Sequence, residues 1–151
     1  MTGTEQSGTS GRFTAQERAA MKERAAELRA QAKQGGKGSK AAKQEAEVLA
    51  TIAAMPDADR ALAERVHAIV QEHAPDLAPR TWYGQPAYAK GDKVVCFFQA
   101  ASKYDTLFCT LGFNDVAELE DGPMWATSYS LTAITPEAEQ TIANLIRRAA
   151  G

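Results

Sequence analysis

The segment from Trp82 to Ala100, WYGQPAYAKGDKVVCFFQA, constrains the fold of this chain more than any other stretch. An aromatic pair runs into Gly84 and Pro86, a short segment ends at Gly91-Asp92, and a dense apolar run follows. Glycine and proline punctuate the backbone there, and Gly-Asp between alternating segments is a hairpin signal. The stretch predicts the opening of an antiparallel sheet. It carries no recognised catalytic motif.

Five strands are expected between residues 80 and 131: Arg80 to Gly84, Ala87 to Lys90, Lys93 to Ala100, Tyr104 to Phe113 and Trp125 to Leu131. In the third, Val94, Cys96 and Phe98 alternate with Val95 and Phe97. In the fourth, Leu107, Cys109 and Leu111 alternate with Phe108. Both faces are therefore apolar. Such a sheet must be covered on both sides or must use its second face for binding.

Helical patterns flank the sheet. Thr14 and Glu17 form a capping-box pattern, followed by a narrow apolar stripe of Met21, Ala25, Leu28 and Ala32. Lys33 to Lys43, KQGGKGSKAAK, reads as a flexible, positively charged linker. A second helix is expected from about Ala42 to Met55, with Val48, Leu49 and Ile52 as its apolar members, and Pro56 breaks it. Asp57 is placed to cap a third helix reaching about Ala74, with Leu62, Val66, Ile69 and Val70 at helical spacing. The acidic loop Asn114 to Pro123 has room for a short helical turn. Thr135-Pro136 then opens the last helix, whose core stripe is Ile142, Leu145 and Ile146, with Arg147 and Arg148 at its C-terminal end. The expected architecture is α+β: a two-layer α/β sandwich of helix, five-stranded antiparallel sheet and helix, preceded by a helical arm. Residues 1–12 are expected to be disordered, 13–44 to be arm and linker, and 45–151 to be the α+β domain.

At 151 residues and 44% hydrophobic, the chain suits one globular domain with an accessory segment. No run approaches the roughly 18 apolar residues of a membrane span, and the N-terminus lacks the apolar stretch of a secretory signal. A cytoplasmic location and no membrane partner are expected. Residues 1–45 hold nine Lys and Arg against five Asp and Glu, whereas residues 46–151 hold eight against fourteen. A basic arm precedes an acidic body. Neither surplus is the concentrated basic face of a nucleic-acid protein. Arm and body attract each other, within one chain or between two, which makes a homodimer through arm and sheet one expectation.

Trp82, Tyr83, Tyr88, Phe97, Tyr104, Trp125 and Tyr129 are first of all core candidates. Trp and Tyr also carry polar tips that seek partners and are enriched at binding surfaces. Trp82, Tyr83, Tyr88, Phe97, Trp125 and Tyr129 are therefore candidates for a groove, with Lys90, Lys93 and Lys103 supplying charge at its rim. His67 and His73 are six apart, not the four that bring two imidazoles to one zinc, and His73 falls within the apolar stripe of Leu62, Val66 and Ile69, which reads as a satisfied histidine at the core edge. Cys96 and Cys109 read as small core hydrophobes in a reducing compartment. A redox pair is the alternative if the loop from Ala101 to Tyr104 is a tight hairpin. Asp115, Glu118, Glu120 and Asp121 are the densest acidic cluster but lack a calcium-loop pattern, so a solvated loop is the simpler reading. Ser102, Lys103, Tyr104 and Asp105 read as turn chemistry, and Gly35-Gly36-Lys37-Gly38 lacks the strand and spacing of a phosphate loop.

Tyr83-Gly84-x-Pro86-x-Tyr88, the two apolar strands, the Trp125-x-Thr-Ser-Tyr segment and the closing helix together resemble the YdhG-like family of small bacterial proteins. The resemblance covers roughly residues 45–150, and the arm from Phe13 is similar to an extension carried by a subset of members. It implies a frataxin-like architecture and a role as an iron chaperone for iron–sulfur or haem assembly, with iron weakly bound. Frataxin-type iron binding uses an acidic ridge on the first helix and first strand. The matching helix here holds Asp57, Asp59, Glu64, Glu72 and Asp76, with Arg60 and Arg65 interleaved, and the matching strand has no carboxylate. The metal candidates are Asp57, Glu64, Asp115, Glu118 and Asp121. The expected function is a non-enzymatic binding or chaperone-type module. The alternatives are a homodimeric interaction protein, or an enzyme or small-ligand protein using Tyr88, Lys103 or a cysteine in the groove.

Overall fold

Residues 14–33 and 37–151 are described by the computed structural model, the side chains of 31–33 and 37–38 excepted. The disorder expected for residues 1–12 lies outside the described residues. Five strands form one antiparallel meander: β1 (Ala78–Trp82), β2 (Gln85–Lys90), β3 (Lys93–Gln99), β4 (Cys109–Phe113) and β5 (Ser128–Leu131). Around it run α1 (Ala15–Lys33), α2 (Lys37–Ala53), α3 (Asp57–His73), the single turn α4 (Ala101–Tyr104) and α5 (Pro136–Ala150). The fold class is α+β, with helices at both ends of the sheet order. No helix among the described residues is long and apolar enough to cross a membrane.

The core lies between the sheet and α2, α3 and α5. Val48 and Ile52 of α2, Val66, Ile69 and Val70 of α3, and Ile142 and Ile146 of α5 meet Tyr88, Cys96, Phe98 and Leu111 from the strands. The helix caps follow local chemistry. Thr14 Oγ1 accepts from Glu17 N at 3.0 Å while Glu17 Oε1 accepts from Thr14 N at 2.9 Å. Thr135 Oγ1 accepts from Ala138 N at 3.1 Å, with Pro136 at the first helical position. Asp57 does not cap α3: Pro56 occupies the cap position, and Asp57 pairs with Arg60 at 2.9 Å instead.

Several expectations are corrected by the backbone. The supposed linker is helical from Lys37, because Lys, Ser and Ala around Gly38 still propagate a helix whose buried face begins at Gln44. Leu49 is exposed on that helix. In β3 an extra residue interrupts the alternation: Tyr88 pairs with Cys96, but Ala89 pairs with Val94. This β-bulge turns Val95 into the core beside Cys96 and moves Val94 to the opposite face with Phe97. The strand expected from Tyr104 starts only at Cys109, since α4 and an exposed loop come first, and Leu107 is 95% exposed. Cys96 consequently pairs with Phe113 and Cys109 with Leu131, so the cysteines are not opposite each other. The loop from Asn114 to Pro123 makes turns without a helix and is pinned by buried Leu119.

The second sheet face is narrower than its sequence implied. Ala87, Ala89 and Val94 are buried there beneath half-buried Trp82 and Phe97. The Phe97 ring lies across Gly112, where any Cβ would strike it. Farther along, Ser128 and Ser130 leave the face polar and exposed.

At the centre of the core sits a polar pair. His67 Nδ1 and the Tyr88 hydroxyl lie 2.9 Å apart, both side chains buried. Burial lowers the His67 pKa below its ordinary 6.5, against an opposing pull from Glu45. The unfolded chain therefore takes up this proton first as pH falls, and stability drops below about pH 6.5 until the folded value is passed. Urea denaturation at about pH 7.5 and 5.5 is expected to show this loss, and His67→Gln to shrink it. Tyr88→Phe, which leaves the imidazole nitrogen unpaired, is expected to lower stability by about 1–3 kcal/mol in the same measurement.

Candidate functional site

Two places on the surface combine shape with chemistry. The first is an open cleft of about 510 Å³ where β4 leaves the sheet. Phe113, Ala117 and Leu119 form its floor, and Pro123, Met124, Trp125 and Thr127 its far wall. The backbone there is held by Phe113 N donating to Thr127 O at 2.8 Å and by Asn114 Nδ2 donating to Val94 O at 3.1 Å. Met124 is 85% exposed and Trp125 40% exposed at its rim. A smaller recess of about 180 Å³ continues on the other side of Trp125, between Tyr129, Leu145 and Arg148. Tyr129 packs edge-on against Phe113, 6.0 Å between centroids, which fixes the ring behind the cleft.

The second place is the turn between β1 and β2. Tyr83 and Gly84 both have positive φ, 55° and 72°, as a two-residue type I′ hairpin requires. β1 thus ends at Trp82 rather than at Gly84. The two turn amides donate to one carboxylate of α1: Tyr83 N to Glu27 Oε1 at 3.1 Å and Gly84 N to Glu27 Oε2 at 3.0 Å. Lys103 Nζ lies beside them, donating to Glu23 Oε1 at 2.6 Å and to Gly84 O at 3.3 Å. Trp82 touches Tyr83 at 4.9 Å and Phe97 at 5.2 Å between centroids, and the Arg24 guanidinium stands 5.9 Å from the Tyr83 ring centroid.

The expected aromatic groove is therefore divided three ways. Trp82, Tyr83, Phe97 and Lys103 gather around the β1–β2 turn and the second sheet face. Trp125 and Tyr129 belong to the cleft at the opposite end of the strand order. Tyr88 belongs to neither, being fully buried on the helix side with its phenol pKa pushed up, first by burial. His73 stands at the core edge with a partner, as expected. It is half-buried at the end of α3, where Arg147 Nη1 lies 2.6 Å from its Nδ1, while His67 takes the interior place.

The metal candidates do not converge. Asp57 is bound to Arg60, and Glu64 is exposed on α3. Asp115 lines the larger cleft, Asp121 the smaller recess, and Glu118 lies beside Gly151 with its amide donating to Ala149 O at 3.0 Å. Among the described residues no three His, Cys, Asp or Glu side chains are grouped to hold a metal ion. The reason is geometric: the acidic loop stretches from one cleft to the next, so successive carboxylates diverge.

Nor are the nucleophile candidates activated. Burial pushes the Cys96 thiol up to about 12 and the Cys109 thiol up to about 11. Cys109 donates to Asp59 Oδ1 at 3.3 Å, and Asp59 Oδ2 accepts from Ser102 N at 3.0 Å. Burial raises the Asp59 pKa, but the bonds from Ser102 and Cys109 outweigh it and hold the carboxyl below its ordinary 3.8. This carboxylate caps α4; it activates nothing.

Some of these residues escaped the sequence reading. Met124 carried a usable signal, since Pro-Met-Trp is an apolar interruption of an acidic loop. Glu23 and Glu27 carried only their spacing of four. Comparison with protein-family models, with curated proteins and with solved structures finds no match to this chain.

Neither cysteine is expected to react with a thiol reagent such as Ellman's at neutral pH while the protein is folded, because a protonated buried thiol is a poor nucleophile. Absorbance should rise by both thiols only on unfolding. Rapid labelling of native protein would contradict the placement of both side chains.

Proposed function

We propose that this protein is a non-enzymatic binding module that takes an apolar, aromatic-compatible group into the Phe113–Trp125 cleft. The exposure of Met124 and Trp125 side by side over an apolar floor carries this reading. Large apolar side chains held at the rim of a concavity, with few polar groups converging on it, are the usual composition of a recognition site. Thioether and indole together form an adaptable contact surface. The protonated thiols, the interior Tyr88 and the ion-paired Lys103 support binding over nucleophilic catalysis. The order of helix, five strands and helix is the order the YdhG-like resemblance implies, and it supports reading residues 45–151 as a domain of that kind. The dispersal of Asp57, Glu64, Asp115, Glu118 and Asp121 gives the iron role no site to rest on.

Titration with the apolar fluorophore anilinonaphthalene sulfonate, followed by its own emission, tests the assignment. Saturable binding to the folded protein is expected. Trp125→Ala should weaken it roughly tenfold, the equivalent of about 1.4 kcal/mol of lost aromatic contact. Trp82→Ala, far from the cleft, should leave it unchanged. Equal losses in the two variants would reject the cleft as the site.

A further inference from the structure

The contact between α1 and the body is unusual in what it buries. The apolar stripe expected on α1 is exposed at Met21, Ala25 and Leu28, the Ala32 side chain lying outside the described residues. The inward side instead offers Ala20, Arg24 and Glu27, and a cleft of about 530 Å³ lined by Ala26, Ala30, Ala50 and Ala54 separates α1 from α2. So little apolar surface is removed from water that the hydrophobic effect contributes little to holding the arm. Carboxylates hold it. The Glu27 side chain is only 12% exposed, clamped by two turn amides with Arg24 at 3.6 Å, and Glu23 reaches Lys103.

Two successive amides projecting from a left-handed turn make a concave donor pair suited to one carboxylate. Hydrogen bonds to an ionised acceptor are the stronger kind. The donors belong to the body and are fixed by the hairpin whatever occupies them, since Tyr83 and Gly84 set the register of β1 on β2. Lys103, on the neighbouring α4, adds a positive charge one helical turn along from the amides, as judged by the Glu23–Glu27 spacing they satisfy.

We infer that the Tyr83–Gly84 turn and Lys103 form a receptor for a helical segment carrying two glutamates four residues apart. The chain's own α1 fills it in cis, and an acidic helix of a partner protein fills it in trans. The cis occupant defines the ligand: Glu-x-x-x-Glu on one face, small side chains between. It also defines the competition. A tethered ligand acts at an effective concentration near the millimolar range, so a partner binds weakly until α1 is released. A partner that keeps the two glutamates and carries larger apolar residues where Ala26 and Ala30 face Ala50 and Ala54 of α2 gains burial that α1 lacks. This site is separate from the Phe113–Trp125 cleft and stands without it.

A fluorescein-labelled peptide of the sequence Ala15 to Lys33, titrated with the full-length protein at low salt and read by anisotropy, tests the receptor. The E23Q/E27Q protein, which has lost its cis ligand, is expected to bind the peptide at least tenfold more tightly than wild type. A peptide with both glutamates replaced by glutamine should lose that affinity, and adding Lys103→Ala to E23Q/E27Q should lose it too. Equal affinity of wild type and E23Q/E27Q, or equal affinity for the two peptides, would overturn the inference. Lys103→Ala alone gives a second reading on an otherwise native protein. Trypsin cleavage within α1, at Lys22 and Arg29, should accelerate at least fivefold, and an unchanged rate would count against the receptor.

Discussion

A left-handed pair of residues at one hairpin governs much of this molecule. Tyr83 is held at a φ that costs a non-glycine residue roughly 1 kcal/mol, and Gly84 follows at a φ suited to glycine. With both residues in that region, the turn twists in the sense the strands need, and β1 pairs with β2 from Trp82↔Gln85 to Ala78↔Ala89. The same geometry sends two amides outward, away from the ladder. Trp82 and Tyr83 then meet edge to face beside the turn, and the arm docks on it. One local conformation thus fixes a strand register, an aromatic cluster and an inter-element contact.

Two sets of polar groups are paired in the interior. His67 and Tyr88 satisfy each other in the middle of an apolar core, and Asp59 serves both Cys109 and the start of α4. A buried donor or acceptor left alone is expensive, so such pairs fix which side chains face each other across the helix–sheet interface. They also occupy Tyr88 and Cys109, while Cys96 is buried among apolar neighbours. At the surface the meander carries an aromatic rim at one end and a carboxylate clamp at the other.

The sequence revealed the strand succession, the Gly91-Asp92 hairpin, the Thr135-Pro136 start and the capping box, because each rests on neighbours in the chain. It misjudged what depends on distant partners. Alternation in β3 reads cleanly from Val94 to Phe98, yet the bulge opposite Tyr88 reverses the first two positions. Leu107 looks like a strand residue until α4 displaces the strand's beginning. Of the candidate groove, the members were found but not their grouping, since only the tertiary fold decides which faces meet. The clamp on Glu27 joins positions 57 apart and leaves no periodic trace. The stripe of Met21 and Leu28 was legible but misleading, for an amphipathic pattern does not show which face a weakly packed helix turns inward.

Asp59 also ties the stability of one element to that of another. A four-residue helix cannot persist alone, because the entropy of its first turn is not repaid within so few residues. The amide that opens α4 is held by a carboxylate 43 positions earlier. That bond exists only while α3 is docked on the sheet, so α4 and the exposed loop behind it lose an anchor whenever α3 opens. Lys103 rides on α4. The positive charge beside the β1–β2 turn is thus positioned from α3, through a carboxylate that holds the segment carrying it.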